Sequence, residues 1–105
     1  MSEEMKKEID KYIELISAYP GVLQIYLFGS HAYGEPKENS DIDLMVIVEN
    51  NLEPFRTAFK IKKSLIDSDI VFDIIVNRKD AFEKASTEQP FQREIKERGV
   101  LLYAQ

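Results

Sequence analysis

The chain predicts an α/β fold, a single domain over residues 1–105 built on a mixed β-sheet of about four strands packed with helices. Three observations carry this. Four apolar, β-rich runs, at 22–28, 42–48, 70–76 and 100–103, are interleaved with stretches of helical spacing. The first two runs have only a short loop between them, rich in breakers, which suits antiparallel neighbours; the later ones are separated by helical segments. No repeat, low-complexity tract or Gly/Ser linker divides the chain.

Each element follows from its residues. Ser2 is placed to cap a first helix, and Glu3 and Glu4 suit the positive end of its dipole. Met5, Ile9, Tyr12, Ile13 and Ile16 then make one apolar stripe, which Pro20-Gly21 ends. Residues 22–28 are apolar on nearly both faces, as in an interior strand. Residues 30–40 read as a loop with a short helical turn from Ser30, broken by Gly34, Pro36 and Asn39. The second strand spans 42–48 and ends at Glu49-Asn50-Asn51. A helix is predicted from Leu52 to Ser68, with Leu52, Phe55, Phe59, Leu65 and Ile66 buried and Lys60, Lys62 and Lys63 solvated. The third run, Ile70 to Val76, precedes helices at about 79–86 and 90–98, the latter opened by Pro90 and closed by Gly99. Val100 to Tyr103 form a short last strand. Tyr12, Tyr26, Phe55, Phe59 and Phe91 are assigned to the core.

Composition narrows the function. The chain is 44% hydrophobic and 31% charged, the balance of an ordinary soluble protein. A net charge of −5 with interspersed signs leaves no basic patch for nucleic acid, so no direct nucleic-acid binding is expected. The absence of cysteine excludes disulfides, thiolate metal sites and cysteine nucleophiles. The start of the chain is charged and lacks an apolar signal core, and no run is long enough for a membrane span, so the expected location is cytoplasmic, away from membranes.

The chemistry concentrates in one stretch. Gly29-Ser30 closes the first strand, and ten residues later Asp41-Ile42-Asp43-Leu44 opens the second. Asp41 and Asp43, two residues apart on a strand, share a face. Antiparallel pairing of the two strands sets the Gly-Ser turn beside them. Asp73 sits among apolar neighbours in the third run, where a lone carboxylate would cost several kcal/mol to bury, the alternative being a sheet edge open to water. Three converging acids with no cysteine and no other histidine than His31 favour Mg²⁺, two ions, with Mn²⁺ able to substitute. Glycine supplies a tight turn, and serine a hydroxyl with free amides for phosphate. Nucleotidyl transfer by in-line displacement fits this set: Asp41, Asp43 and Asp73 catalytic and metal-binding, Gly29 and Ser30 nucleotide-binding. Taken singly, Asp-x-Asp and Gly-Ser are ordinary surface features; their joint placement gives them meaning. His31, Tyr33 and Lys37 read as loop residues, with nucleotide contact the sharper alternative. Lys60, Lys62, Lys63, Arg93, Lys96 and Arg98 read as solvated helix faces, or as a partner interface.

The stretch from Leu27 through Gly29-Ser30-His31-Ala32-Tyr33-Gly34, then Ser40-Asp41-Ile42-Asp43-Leu44-Met45-Val46, resembles the nucleotidyltransferases of the DNA polymerase β superfamily. The small size and the ending Ile95-Lys96-Glu97-Arg98-Gly99-Val100-Leu101-Leu102-Tyr103 resemble the minimal branch, the MNT-domain proteins. The resemblance implies Mg²⁺ on Asp41, Asp43 and Asp73 and nucleotide phosphates on Gly29 and Ser30; many members have Arg where His31 stands. It further implies an antitoxin paired with a HEPN-type RNase toxin, moving AMP from ATP, or a nucleoside monophosphate from another NTP, onto a tyrosine of that partner. Little chain remains outside the acid cluster to bind an acceptor, consistent with an acceptor supplied by another chain. Two alternatives stand beside this: a non-catalytic module that neutralises its partner by binding, and transfer to a small molecule. A homo-oligomer and a hetero-oligomer are both open.

Overall fold

The computed structural model describes residues 2–36 and 40–105; Lys37 and Asn39, assigned above to the loop, lie outside the described residues. The described elements run α1 (Glu3–Ser17), β1 (Val22–Phe28), α2 (Ser30–Tyr33), β2 (Ile42–Val48), α3 (Pro54–Ser64), β3 (Phe72–Arg78), α4 (Lys79–Glu88), α5 (Pro90–Arg98) and β4 (Val100–Ala104). The four strands form one mixed sheet in the order β3-β2-β1-β4. β1 pairs antiparallel with β2 and with β4, and β2 pairs parallel with β3.

Local chemistry sets the boundaries. The Ser2 side chain accepts from the Met5 amide at 3.1 Å, capping α1. Glu53 caps α3, its carboxylate accepting from the Arg56 amide at 2.6 Å, and Pro54 occupies the first turn, where its missing N–H is no loss. α3 therefore starts two residues later than Leu52. It ends at Ser64 rather than Ser68, because Leu65 leaves helical geometry and its carbonyl closes a turn with the Ser68 amide. The third strand also begins later than 70. The Ile70 amide bonds the Ser68 hydroxyl in a local turn, and Val71 gives only its carbonyl to the Ile42 amide. Asn77 and Arg78 extend β3 instead, in register with Ile47 and Val48.

Helices cover both faces of the sheet. α1 and α3 pack on one face around Ile9, Ile13, Ile16, Ile25, Leu44, Ile61 and Ile74. α4 and α5 cover the other with Phe82 and Ile95 against Phe28, Met45 and Ile47. β2, next to the middle of the sheet, is covered on both faces, so all of its residues but Asp43 are buried.

The predicted core needs correction in α3. Phe55, Phe59 and Ile66 are exposed, at 85%, 69% and 80%. The inward stripe lies on a neighbouring face, through half-buried Ala58 and buried Ile61, and continues to buried Leu65. Phe91 is also exposed, though its ring meets Phe28 edge-on at 5.5 Å. Tyr12 and Tyr26 are half-buried, against Phe72 and Phe82. Among the described residues, no helix is long and apolar enough to cross a membrane.

Candidate active site

Antiparallel pairing turns β1 back at the end where β2 begins, with Phe28 opposite Asp43. Gly29 makes the bend at φ +74° and ψ −156°, a region open essentially to glycine alone. A second reason for glycine is space. A β-carbon there would run into the Asp43 carboxylate, with Cγ only 3.0 Å away. The glycine turn and the strand acid are therefore pressed together by the backbone itself.

From Gly29 the chain enters the one-turn helix α2. The Ala32 and Tyr33 amides donate to the Gly29 carbonyl at 3.0 and 3.1 Å, and the Gly34 amide donates to the Ser30 carbonyl at 3.1 Å. The turn thus uses its later amides internally. Those of Ser30 and His31 lead it, together with the Ser30 hydroxyl, where a helix start leaves donors without an intrahelical acceptor.

Parallel pairing of β2 with β3 puts Asp73 directly beside Asp43 in register. Asp41 lies two residues ahead of Asp43, just before the strand. Asp43 is half-buried, whereas Asp41 and Asp73 are exposed. Burial pushes the Asp43 carboxyl above the usual carboxylate range; the charges of Asp73 and Asp41 push it further the same way, and His31 pulls it back.

This corrects the expected burial of Asp73. β3 is an edge strand, so the face bearing Asp73 opens to water at that end, and the desolvated acid is Asp43. As the side chains stand, the described residues contain no group of three or more His, Cys, Asp or Glu gathered to hold a metal ion. The donor set nonetheless fits a hard divalent cation: three carboxylates, two of them exposed, whose charges already act on the third. A cation there would relieve the repulsion that raises Asp43.

Long-range contacts support the turn. The His31 ring nitrogen Nε2 lies 3.3 Å from the Ser40 carbonyl, bridging the two ends of the intervening loop. The Arg98 guanidinium lies 4.8 Å over the Tyr33 ring and donates to the Tyr33 carbonyl at 3.4 Å. Glu94 sits beside the same arginine at 3.8 Å. Burial raises the Tyr33 hydroxyl above its ordinary pKa. Sequence reasoning missed Arg98 here, since nothing in a solvated helix end signals a contact 65 residues away.

The acids stand on an open shelf rather than in a pit. A cleft of about 510 Å³ lies between the start of α1 and the approach to β3, with Ser40 and Val71 among its lining residues and none of the three acids.

A glycine-led turn locked against a strand acid, with a second acid in register on the next strand, is chemically suited to a metal-bound phosphate. The chain belongs to the family described as Polymerase beta, Nucleotidyltransferase, which it matches over residues 10–105, and so to a class of enzymes. A relative from Methanocaldococcus jannaschii named "Putative protein adenylyltransferase" is 31% identical over 105 residues, covering 98% of this chain and 100% of its own. Among solved structures, one described as a "putative nucleotidyltransferase" from Sulfolobus solfataricus superimposes with a TM-score of 0.66 at 23% identity, over 97% of this chain and 82% of that one. Two toxin–antitoxin structures also match. One is a mutant MntA–HepT assembly, with a TM-score of 0.62 at 20% identity, over 91% of this chain and 73% of that one. The other contains AMP-PNP, with a TM-score of 0.53 at 23% identity and the same coverage. At these identities the likeness to the solved structures is one of fold.

Proposed function

We propose that this nucleotidyltransferase moves AMP from ATP onto a partner protein, as the antitoxin of a pair whose toxin is a HEPN-type RNase. The observation that carries the reading is the Gly29 bend packed onto Asp43 with Asp73 in register beside it. The relative named for protein adenylylation and the fold shared with toxin–antitoxin structures, one containing AMP-PNP, support the choice of nucleotide and acceptor.

In this reading Asp41, Asp43 and Asp73 would hold Mg²⁺, for which Mn²⁺ could substitute, and the bound ion would supply positive charge against the triphosphate and the acceptor oxygen. The Ser30 hydroxyl and the leading amides of α2 donate to the β- or γ-phosphate and steady the departing pyrophosphate. Asp73, exposed at the mouth, takes the proton of the attacking tyrosine hydroxyl. The new bond joins that oxygen to the α-phosphorus, and the bond from the α-phosphorus to the pyrophosphate oxygen breaks. The open shelf suits an acceptor brought by a second chain.

Incubation with Mg-ATP and the candidate toxin, followed by intact-mass spectrometry, tests this. AMP should add to the toxin. Asp41→Ala or Asp43→Ala should reduce the rate at least about 10³-fold without unfolding the domain. Neutralisation of the toxin that persists without nucleotide and with the acids replaced would instead identify a binding module.

A further inference from the structure

α3 carries two apolar seams. Ala58, Ile61 and Leu65 turn inward toward the sheet. Within α3, Phe55 and Phe59 lie about 100° round the axis from this inward stripe, and they and Ile66, just past the helix end, are left to solvent. Val71, 64% exposed, continues this outer seam at the approach to β3. Beyond it runs a third stripe, Arg56, Lys60 and Lys63, all exposed. From Pro54 to Ile66 there are four basic residues and no acidic one, in a chain of net charge −5. Between α3 and β3, the outer edge of the sheet, lie two clefts of about 310 and 220 Å³, met at Lys62 and floored by Ala58, Ile74, Leu65 and Phe72.

We propose that this groove docks an acidic amphipathic helix of the acceptor protein. The helix's apolar face would lie on Phe55, Phe59 and Ile66, its carboxylates against Arg56, Lys60 and Lys63. The proposal rests on the reading that the acceptor is another protein. Charge selects the occupant. A second copy laid with its α3 antiparallel to this one across a two-fold axis would set basic stripe against basic stripe. A nucleic acid would find aliphatic floors under the seam and be repelled by the acidic remainder of the chain. Along the chain the groove ends at Val71 and Phe72, beside Asp73 on the edge strand, whose side chain belongs to the opposite face of the sheet.

The test places the photo-crosslinker p-benzoylphenylalanine at position 55 or 59, with position 101 on the opposite sheet edge as control, in the cells that make the protein. The expected result is a crosslink to one protein at 55 and 59 and not at 101, mapping to a segment rich in Asp and Glu with an apolar helical stripe. Lys60→Glu together with Lys63→Glu should lower its yield at least tenfold, while circular dichroism stays unchanged. Crosslinks to nucleic acid or to a second copy of the chain would overturn the proposal. So would a yield indifferent to charge reversal, or no product above the control. Crosslinking requires no catalysis, so Asp43→Asn should crosslink normally. Crosslinks of the expected kind without AMP transfer would leave the docking groove standing and remove the transferase reading; transfer without crosslinks would do the reverse.

Discussion

Replacing Asp43 by Asn should make the metal-free protein more stable while abolishing transfer. Asp43 is the half-buried member of the acid set, and its folded-state pKa is raised by burial, by Asp73 and by Asp41. The raised value means that the folded state binds this proton more tightly than the unfolded chain. Above the folded pKa, ionised Asp43 therefore costs stability; the cost fades as pH falls through that pKa and is gone below the unfolded value. Among the neighbouring charges, that of Asp73, its register partner, acts on it most strongly. Neighbouring strands lie about 4.8 Å apart. Two carboxylates some 5–6 Å apart at a water-like effective dielectric of about 60 repel by roughly 1 kcal/mol. In a domain of this size that corresponds to a rise in melting temperature of about 4 °C. The assay is thermal unfolding by circular dichroism with chelator, at pH 7.5 and at pH 3.5, in low and high salt. The variant should exceed the parent at pH 7.5, lose its lead at pH 3.5, and lead by less in high salt. Added Mg²⁺ should stabilise the parent and not the variant, reversing the order. A variant that melts lower than the parent at pH 7.5 without metal, or a lead independent of pH, would refute the electrostatic reasoning.

Gly29→Ala should cost roughly 2 kcal/mol, since its dihedrals are open essentially to glycine and its β-carbon meets the Asp43 carboxylate; urea unfolding reads the loss, and nucleotide affinity should fall with it. Ile61→Ala, fully buried in α3, should cost about 2–5 kcal/mol by the same titration. Phe55→Ser and Phe59→Ser, on the solvent side of α3, should change stability by only about 0.5 kcal/mol, and a larger loss would show that the rings are packed rather than exposed. Ser2→Ala should remove the α1 cap at about 1 kcal/mol, visible as a lower urea midpoint.

The strands and the shape of the site were largely legible in the sequence because period-two and buried runs have few alternative readings. β1 and β2 fall at their predicted limits, and the antiparallel return that sets Gly29 beside Asp43 follows from their short connection. The helical turn at Ser30 and the α5 bounds were equally readable from Gly, Pro and spacing. What composition could not supply was sheet order. An apolar run looks the same in the middle and at the edge, so Asp73 read as buried until β3 was seen to border solvent. Phase in α3 failed for a different reason. The helix has apolar residues on two neighbouring stripes, and aromatic bulk drew the assignment to Phe55 and Phe59 although the smaller Ala58 and Ile61 face the sheet. The contact of Arg98 with Tyr33 joins segments that only the folded chain brings together.

The parallel alignment of β2 with β3 makes pairing offset a control on chemistry. Sliding β3 by a single position would swing Asp73 beneath α3 and bring the ring of Phe72 out in its place, with the hydrogen-bond ladder intact. Length changes should thus be absorbed in the turn after Ser64 yet be silencing inside β3. A deletion scan across 65–78 would trace that frontier one residue at a time.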